Sequence, residues 1–239
     1  KLKPKRTYTH QSPVMTASGT AGHGDEQARY VDLASLGAVV VKSLAAEPWP
    51  GNAAPRVHET QGGMLNSVGL QGPGVEAWLR DELPPLLATG ATVVASIWGR
   101  TVDEYAAAAA LLADAPPQVV AVEVNLSCPN LHHGRAMFAQ LPETAAEAVA
   151  ATASCGRPRW AKLTPMVADL VPIAAATRDA GARAARDDDR AARGSAAAAG
   201  RHVVALGGRV DRASRRARSG RRRRRGSRQR LRLDRAPDR

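Results

Sequence analysis

The chain has 239 residues, of which 44% are hydrophobic and only 3% aromatic. This length suits one domain or a large part of a barrel, with a core made mostly of Ala, Val and Leu. Two cysteines, Cys128 and Cys155, provide no disulfide framework, and no stretch reaches the roughly 18 apolar residues of a membrane-spanning helix. We therefore expect a cytoplasmic protein with neither a signal peptide nor a membrane anchor.

Charge is divided unevenly along the chain, whose formal net charge is +12. Residues 1–182 carry 14 basic and 16 acidic side chains, whereas residues 183–239 carry 20 arginines and 6 aspartates. The second segment has no Lys, no Glu and no aromatic residue. Its high charge and low apolar content predict a disordered tail.

Strand and helix patterns alternate through the first segment. Short apolar runs predict strands at residues 13–18, 37–42, 92–98, 119–127 and 159–164. Helical patterns follow these runs at residues 26–35, 75–88, 102–113, 142–154 and 167–180. Thr101 is a candidate N-cap with Glu104 completing a capping box, while Gly156 and Pro158 predict a helix end near Cys155.

About five βα units of this kind predict an α/β fold of the (β/α)8 TIM-barrel type. The barrel would be incomplete, since a whole one has eight units and typically about 250 residues. Five units are also compatible with an open doubly wound sheet, although no GxGxxG follows the first strand. The predicted organisation is an irregular segment at residues 1–11, the partial barrel at residues 12–182 and the arginine-rich tail at residues 183–239.

Residues able to carry chemistry fall at the carboxyl ends of the predicted strands, where parallel barrels hold their active sites. In chain order they are Ser18, Gly19, Lys42, Ser43, Ser96, Asn125, Cys128 and Lys162. Lys42 and Lys162 both lie in apolar strands, and a lysine there is costly unless an anionic partner binds it. The neighbours His132 and His133 point apart and have no carboxylate at ligand spacing, so no metal site is expected.

Five motifs in series resemble the dihydroorotate dehydrogenase family, in its soluble class that uses a cysteine base. They are MTASGT (residues 15–20), VVVKS (39–43), the glycine-rich segment 51–74 with its NSVGL, NLSCPN (125–130) and AKLTP (161–165). The resemblance covers about residues 12–182. It implies a flavin-dependent barrel that oxidises dihydroorotate to orotate in pyrimidine biosynthesis.

The resemblance also implies a role for individual residues. Cys128 would be the general base that takes a proton from one carbon, while FMN accepts a hydride from its neighbour. Cys155 is expected to be a packed thiol. The implied substrate-binding residues are Lys42, Asn66, Ser67, Val68, Gly69, Leu70, Asn125 and Asn130. The implied cofactor-binding residues are Ala17, Ser18, Gly19, Lys42, Ser43, Ser96, Asn125 and Lys162.

The loop LHHGRAMFAQ at residues 131–140 is closer to relatives that pass electrons to NAD through a second subunit carrying FAD and an iron–sulfur cluster. The implied partners are that subunit, dihydroorotate and orotate, in a homodimer or a heterotetramer. Two other flavoenzymes remain alternatives. Dihydropyrimidine dehydrogenase has a similar NLSCP segment, and tRNA dihydrouridine synthase has a related motif with glycine where this chain has Ser127.

The family pattern stops after Ala182, and only residues 202–208 offer a further strand. One interpretation is a change of reading frame, because codons for residues 186–190 can be chosen that encode Val-Thr-Met-Ile after a one-base shift. Another is a genuine basic tail whose arginines bind nucleic acid. Either way the strands that close the barrel and hold the flavin phosphate are missing. We therefore expect weak FMN binding and little activity, or an inactive gene product.

Overall fold

A computed structural model of the protein describes residues 12–127, 138–187 and 204–206. The strands are β1 (Val39–Val40), β2 (Val57–Thr60), β3 (Gly63–Asn66), β4 (Val93–Ile97), β5 (Val119–Asn125), β6 (Arg159–Leu163), β7 (Ala182–Asp187) and β8 (Val204–Leu206). The α-helices are α1 (Val75–Ala77), α2 (Leu83–Ala88), α3 (Val102–Leu111), α4 (Pro142–Ala151) and α5 (Val171–Asp179). A π-helical turn, Trp78–Glu82, joins α1 to α2, and 3-10 turns occupy Glu26–Arg29, Leu33–Ser35, Phe138–Gln140 and Thr152–Cys155.

The main sheet of the described residues has the strand order β1-β4-β5-β6-β7-β8. Neighbours from β1 to β7 pair in parallel, whereas β8 pairs antiparallel with β7. Helical segments connect successive parallel strands, because a parallel pair needs a crossover rather than a tight turn. The predicted α/β class with a parallel sheet is confirmed, and the described strands amount to part of a barrel.

Two apolar layers lie on opposite faces of this sheet. On one face α2, α3, α4 and α5 pack against the strands through residues such as Leu86, Leu112, Val149 and Ile173. The other face carries a smaller layer, Ala38, Val40, Val94, Ala121, Trp160 and Ala184. Alanine, valine and leucine make up most of the core as expected, and three of the four tryptophans join them.

The first predicted strand, at residues 13–18, is not a strand. Met15 makes only an isolated parallel bridge with Ala38. Thr16 Oγ1 accepts a hydrogen bond from Val40 N at 2.8 Å and donates to Val40 O at 3.2 Å. A side-chain hydroxyl therefore takes the backbone groups that a continuous ladder would have used.

Three other elements differ from the sequence-based prediction. The helix predicted at residues 26–35 is two 3-10 turns separated by residues 30–32, and the side chain of Asp32 accepts from Ala34 N and caps the second turn. The antiparallel hairpin of β2 and β3 was not predicted. Strand β7 takes the place where no sixth strand was expected, and it pairs in parallel with β6. The boundary predicted after residue 182 stays a prediction.

The ends of the central helices follow their sequence signals. Thr101 accepts from Glu104 N at 3.2 Å and so caps α3, as predicted. The Glu104 carboxylate accepts from Arg100 N at 2.6 Å, and the backbone N–H groups of Arg100 and Thr101 both help to lower its pKa. Gly156 has a positive φ of 65° and ends the helical turn that follows α4, also as predicted.

Arg157 binds backbone carbonyls at the amino-terminal edge of the sheet. Its Nε donates to Val119 O at 2.8 Å, and its Nη1 donates to Leu112 O at 2.7 Å and to Cys155 O at 3.2 Å. Its Nη2 donates to Ala115 O. One guanidinium thus joins the end of α3, the start of β5 and the turn before β6.

Several predictions from the sequence lie outside the described residues. These are Cys128, Asn130, the loop up to residue 137, the segment 1–11 and most of the tail. Of the helices that the structure describes, none is both long and apolar enough to cross a bilayer.

Candidate active site

The sheet face that carries the smaller apolar layer becomes polar toward the carboxyl ends of its strands. Register places Ser96 of β4 beside Glu123 of β5, and Asn125 of β5 beside Lys162 of β6. Because paired residues of parallel neighbours point to the same face, these four side chains share one surface. All four are buried, and Lys162 is the most exposed at 8%. We call this surface, together with Ser18 and Ser43, the polar wall.

Ser43, which follows β1, is the centre of a hydrogen-bonded network in the polar wall. Its Oγ lies 3.1 Å from Ser18 Oγ and 2.8 Å from Ser96 Oγ. It also accepts from Asn125 Nδ2 at 2.9 Å. Ser96 Oγ donates to Glu123 Oε1 at 3.0 Å. Side chains therefore join the residues around Ser18 to strands β4 and β5 at the edge where parallel sheets bind ligands.

Asn125 is held in one orientation. Its Oδ1 accepts from Ser127 N at 3.2 Å and from Ser127 Oγ at 2.9 Å, while its Nδ2 donates to Ser43. Its backbone carbonyl accepts from Tyr105 OH at 2.7 Å. Cys128 is the third residue after Asn125 and follows Ser127 directly, although Cys128 itself lies outside the described residues. Strand β5 therefore brings the chain to the polar wall immediately before the predicted base.

Ala17, Ser18 and Gly19 lie next to open space. Ala17 and Ser18 are half-buried and Gly19 is exposed. Gly19 has a φ of 89°, which favours glycine, and a Cβ added there would meet nothing within 4 Å. The backbone beside Ser18 can therefore be approached closely by a flat ring.

A cleft of about 580 Å³ lies beside Lys42. Its lining includes His23, Trp49, Gln71, Gly72 and Glu82. A Cβ added at Gly72 would lie 3.1 Å from His23 Nε2, which is a tight contact. Among the described residues, this buried Nε2 has no hydrogen-bond partner.

Electrostatics in the cleft favour the neutral form of His23. Burial lowers the pKa of His23 to about 4, the Lys42 ammonium acts in the same direction, and Glu26 opposes both. Burial also lowers the pKa of Lys42, and the nearby Arg56 guanidinium adds to this effect. The Lys42 ammonium lines the cleft near a second positive charge, that of Arg56, so an anion bound beside Lys42 would be favourable.

The predicted substrate loop, residues 66–70, begins at the end of β3 and is anchored through its backbone. Ser67 N donates to Arg56 O at 2.8 Å, and Ser67 O accepts from Asn52 Nδ2 at 2.7 Å. Trp49 Nε1 donates to Gly69 O at 2.9 Å. Gly69 has a φ of 72°, and an added Cβ would come within 2.7 Å of the Asn52 side chain.

The side chains of this loop divide into two groups. Asn66 and Ser67 are exposed, whereas Val68 is half-buried. Leu70 has a positive φ of 58° and packs against the core cluster that contains Trp98. The loop is therefore fixed by its backbone, and its first two side chains are available to a ligand.

The structure brings together several residues that the sequence indicated and adds others. Ser18, Ser43, Ser96 and Asn125 form one network, and Lys162 lies beside Asn125. Sequence reasoning missed His23, Tyr105, Glu123 and Ser127. A glutamate within the apolar run VVAVEVN was a usable signal for a buried charge, because burying a carboxylate requires a partner. Cys155 is fully buried in the core, and its expected role as a packed thiol is confirmed.

Comparison with known proteins gives one consistent family. The family model of dihydroorotate dehydrogenase matches residues 6–185. The dihydroorotate dehydrogenase B (NAD(+)) catalytic subunit of Desulforudis audaxviator is 49% identical over 177 residues, which cover 74% of this chain and 57% of the relative. The protein of the same name from Trichlorobacter lovleyi is 46% identical over 175 residues, which cover 73% and 57%. This chain thus spans little more than half the length of the curated relatives that it matches.

A solved structure has a similar fold at low sequence identity. The dihydroorotate dehydrogenase of Eimeria tenella, in its complex with ferulenol, aligns with a TM-score of 0.56 and 16% identity. The alignment covers 72% of this chain and 55% of the other. At this identity the likeness concerns the fold alone.

Proposed function

Because this chain belongs to the dihydroorotate dehydrogenase family, we propose that its polar wall is the flavin-ring and substrate part of a site that oxidises dihydroorotate to orotate. The observation that carries the proposal is the fixed amide of Asn125. It is held by Ser43 and Ser127 at the end of β5, three residues before Cys128. An amide, a thiol and a buried lysine at adjacent strand ends are suited to a planar ring that loses a proton and a hydride.

The described residues fit the ring end of FMN. Open space lies beside the backbone at Gly19, and the hydroxyl of Ser18 and the amide of Asn125 border the polar wall. Lys162 supplies positive charge at the end of β6, where it would stabilise negative charge that develops on a ring. When bound, FMN supplies the hydride acceptor.

In the proposed reaction each group of the chain has one task. The Cys128 thiolate takes the proton from the carbon next to a ring carbonyl, while the hydride leaves from the neighbouring carbon. Asn125 and Asn130 bind the edges of the pyrimidine, and Lys42 favours its carboxylate. The backbone-anchored loop of residues 66–70 closes the other side of the substrate.

We also propose an electron-transfer subunit as the partner of this chain. The similar proteins are named catalytic subunits of an NAD(+) enzyme. That name implies a second protein that carries electrons from the flavin to NAD. Dihydroorotate, orotate and this subunit are therefore the proposed partners in pyrimidine biosynthesis.

The function is tested by anaerobic mixing of the chain with excess FMN and dihydroorotate, followed by the loss of oxidised-flavin absorbance. We expect flavin reduction in the wild type. In Cys128→Ala the rate should fall by at least about 100-fold, because general base catalysis contributes roughly that factor or more. The control is Cys155→Ala, which removes the other thiol from a fully buried position outside the site. It should keep the wild-type rate.

Two results would contradict the proposal. One is no flavin reduction by dihydroorotate at saturating FMN, and the other is an unchanged rate in Cys128→Ala. Two further measurements, ligand perturbation of the flavin spectrum and a gel shift, separate the related flavoenzymes. Perturbation of the flavin spectrum by orotate supports the proposal, perturbation by uracil alone supports a dihydropyrimidine dehydrogenase, and a gel shift with tRNA supports a dihydrouridine synthase.

A further inference from the structure

The hydroxyl groups of the polar wall form a chain that ends at a buried carboxyl group. Ser18, Ser43 and Ser96 follow one another at 3.1 and 2.8 Å between Oγ atoms. The last of them donates to Glu123 Oε1 at 3.0 Å. Glu123 is fully buried, as is Ser96. The proposed function assigns no task to this glutamate.

The bond from Ser96 to Glu123 fixes the direction in which each hydroxyl of this series, which we call the relay, donates its proton. A serine hydroxyl has one proton and two lone pairs. Since the Ser96 proton points to Glu123, the short Ser43–Ser96 contact requires Ser43 to donate. Ser43 then has no proton for Ser18, so Ser18 donates to Ser43. Ser43 thus donates once and accepts twice, from Ser18 and from Asn125, which uses its full capacity.

We propose that Glu123 is a positioning residue that orients this relay, so that the site presents one acceptor and one donor to its ligand. Ser18 has used its proton within the relay and offers a ligand only lone pairs. Asn125 has directed one N–H to Ser43 and its oxygen to Ser127, and among the described residues its second N–H meets no acceptor. The ligand edge recognised at Ser18 is therefore an N–H group of a planar nitrogen heterocycle.

This inference rests on the proposed function for the identity of the ring. Both the flavin and the dihydropyrimidine carry ring N–H groups. Isotope labelling separates them: ¹⁵N-labelled FMN with unlabelled orotate reports on the flavin, and ¹⁵N-labelled orotate with unlabelled FMN reports on the substrate site. An N–H that donates to Ser18 gives a resonance shifted away from that of the same ring in water.

The decisive variant is Ser96→Ala, which disconnects Ser43 from Glu123. The Ser43 proton is then free to turn toward Ser18, and Ser18 becomes a donor. We expect the ring N–H resonance to move toward its value in water and the affinity of that ring to fall about fivefold, which is the effect of one hydrogen bond. Glu123→Gln, whose amide can donate as well as accept, should shift the resonance in the same direction. The variant that combines Ser96→Ala with Glu123→Gln should shift the ring N–H resonance no further than Ser96→Ala alone.

The control is Thr152→Val, which removes another fully buried hydroxyl, one that bonds Val149 O outside the polar wall. It should leave the ring resonances unchanged. A readout without ligand is the side-chain amide of Asn125, whose acceptor is Ser43. Its resonances should change in Ser96→Ala and not in Thr152→Val.

Unchanged Asn125 resonances in Ser96→Ala would overturn the relay whatever the ligand. Ring resonances that respond equally to Thr152→Val would overturn the assignment of Ser18 as an acceptor. A responsive Asn125 in a protein that fails to reduce flavin would leave the relay standing and contradict the proposed reaction instead.

Discussion

At the scale of single residues, His23 shows how burial changes the chemistry of a side chain. Its Nε2 is buried in the cleft beside Lys42, and its own backbone is held on both sides. His23 N donates to Glu26 Oε1 at 3.2 Å, and His23 O accepts from Trp78 Nε1 at 2.8 Å. These bonds fix the backbone of His23, and protonation of the buried imidazole is unfavourable.

The pH dependence of stability follows from that shift. The pKa of His23 is lowered from 6.5 to about 4, so the unfolded chain binds a proton that the folded chain does not. The free energy of unfolding should therefore be highest above pH 6.5 and fall as the pH falls toward about 4. In His23→Gln this slope should be smaller. Urea unfolding at several pH values measures it.

Carboxylates do not obscure this slope in the upper part of the window. Burial raises the pKa of Glu26, but backbone N–H donors including those of Gly24 and His23 outweigh it, and the net pKa lies below 4.5. The matched control is His58→Gln, at an exposed histidine of β2. It should keep the wild-type slope; a His23→Gln protein that also keeps it would refute the assignment.

At the scale of elements, the indole of Trp49 links the substrate loop to the end of β4. Its Nε1 donates to Gly69 O, its ring meets Trp98 edge-on at 6.0 Å between centroids, and Arg100 lies 4.6 Å above it. Arg100 is itself held by Glu104 at 2.7 Å. Trp49 therefore supplies one of several hydrogen bonds that anchor the loop, and its indole is itself packed between Trp98 and Arg100.

Trp49→Phe tests this link, because it removes the indole donor and keeps an aromatic ring. We expect amide hydrogen exchange at Ser67 and Asn52 to become about fivefold faster, as one hydrogen bond of roughly 1 kcal/mol is lost. Trp78→Phe is the control, since it removes an indole donor from a buried position away from the loop. Equal exchange in wild type and Trp49→Phe would show that the loop is held by its other bonds.

The same elements explain what the sequence could predict. Strands β4, β5 and β6 are buried apolar runs with clear boundaries, and their positions were predicted within two residues at each end. The β2–β3 hairpin was missed because all eight of its residues are exposed, so no apolar period marks it. Its tight turn depends on the positive φ of 76° at Gly62, which sequence alone does not fix.

For the site, the sequence identified positions but not connections. The sequence places Ser18, Ser43 and Ser96 at or near predicted strand ends, and their connection by hydrogen bonds depends on the register between neighbouring strands. Glu123 lies within an apolar run, which indicates a buried charge, but the run does not reveal the partner that Ser96 provides. His23 escaped because its cleft is formed by residues about 20 to 60 positions away in the chain.

At the scale of the whole molecule, the sheet face that carries the polar wall has a buried apolar layer on the amino-terminal side of that wall. Ala38, Val40, Val94 and Ala121 leave room for Trp160, the one large side chain of this layer. The polar wall lies on the same face, next to these residues toward the carboxyl ends of the strands. Water is thus excluded beneath the wall, which strengthens each hydrogen bond within it.

The extent of the family match predicts how a flavin should bind. The match ends at residue 185, and barrels of this type usually grip phosphate after their seventh and eighth strands. We therefore expect FMN and riboflavin, which differ by the phosphate, to bind with similar and weak affinity. Fluorescence titration at two salt concentrations measures this and separates nonspecific binding of phosphate by arginines. A salt-independent preference for FMN of about tenfold or more would contradict the expectation.

The guanidinium of Arg157 has a consequence for tolerance to substitution. Its planar, fork-shaped donors satisfy carbonyls from three separate connections, and no ammonium group has the geometry to reach them together. Arg157→Lys would preserve the charge but lose most of the hydrogen bonds to those carbonyl oxygens. Arg157→Lys would therefore weaken the attachment of the amino-terminal end of β5, the strand whose carboxyl end holds Asn125 in the candidate site.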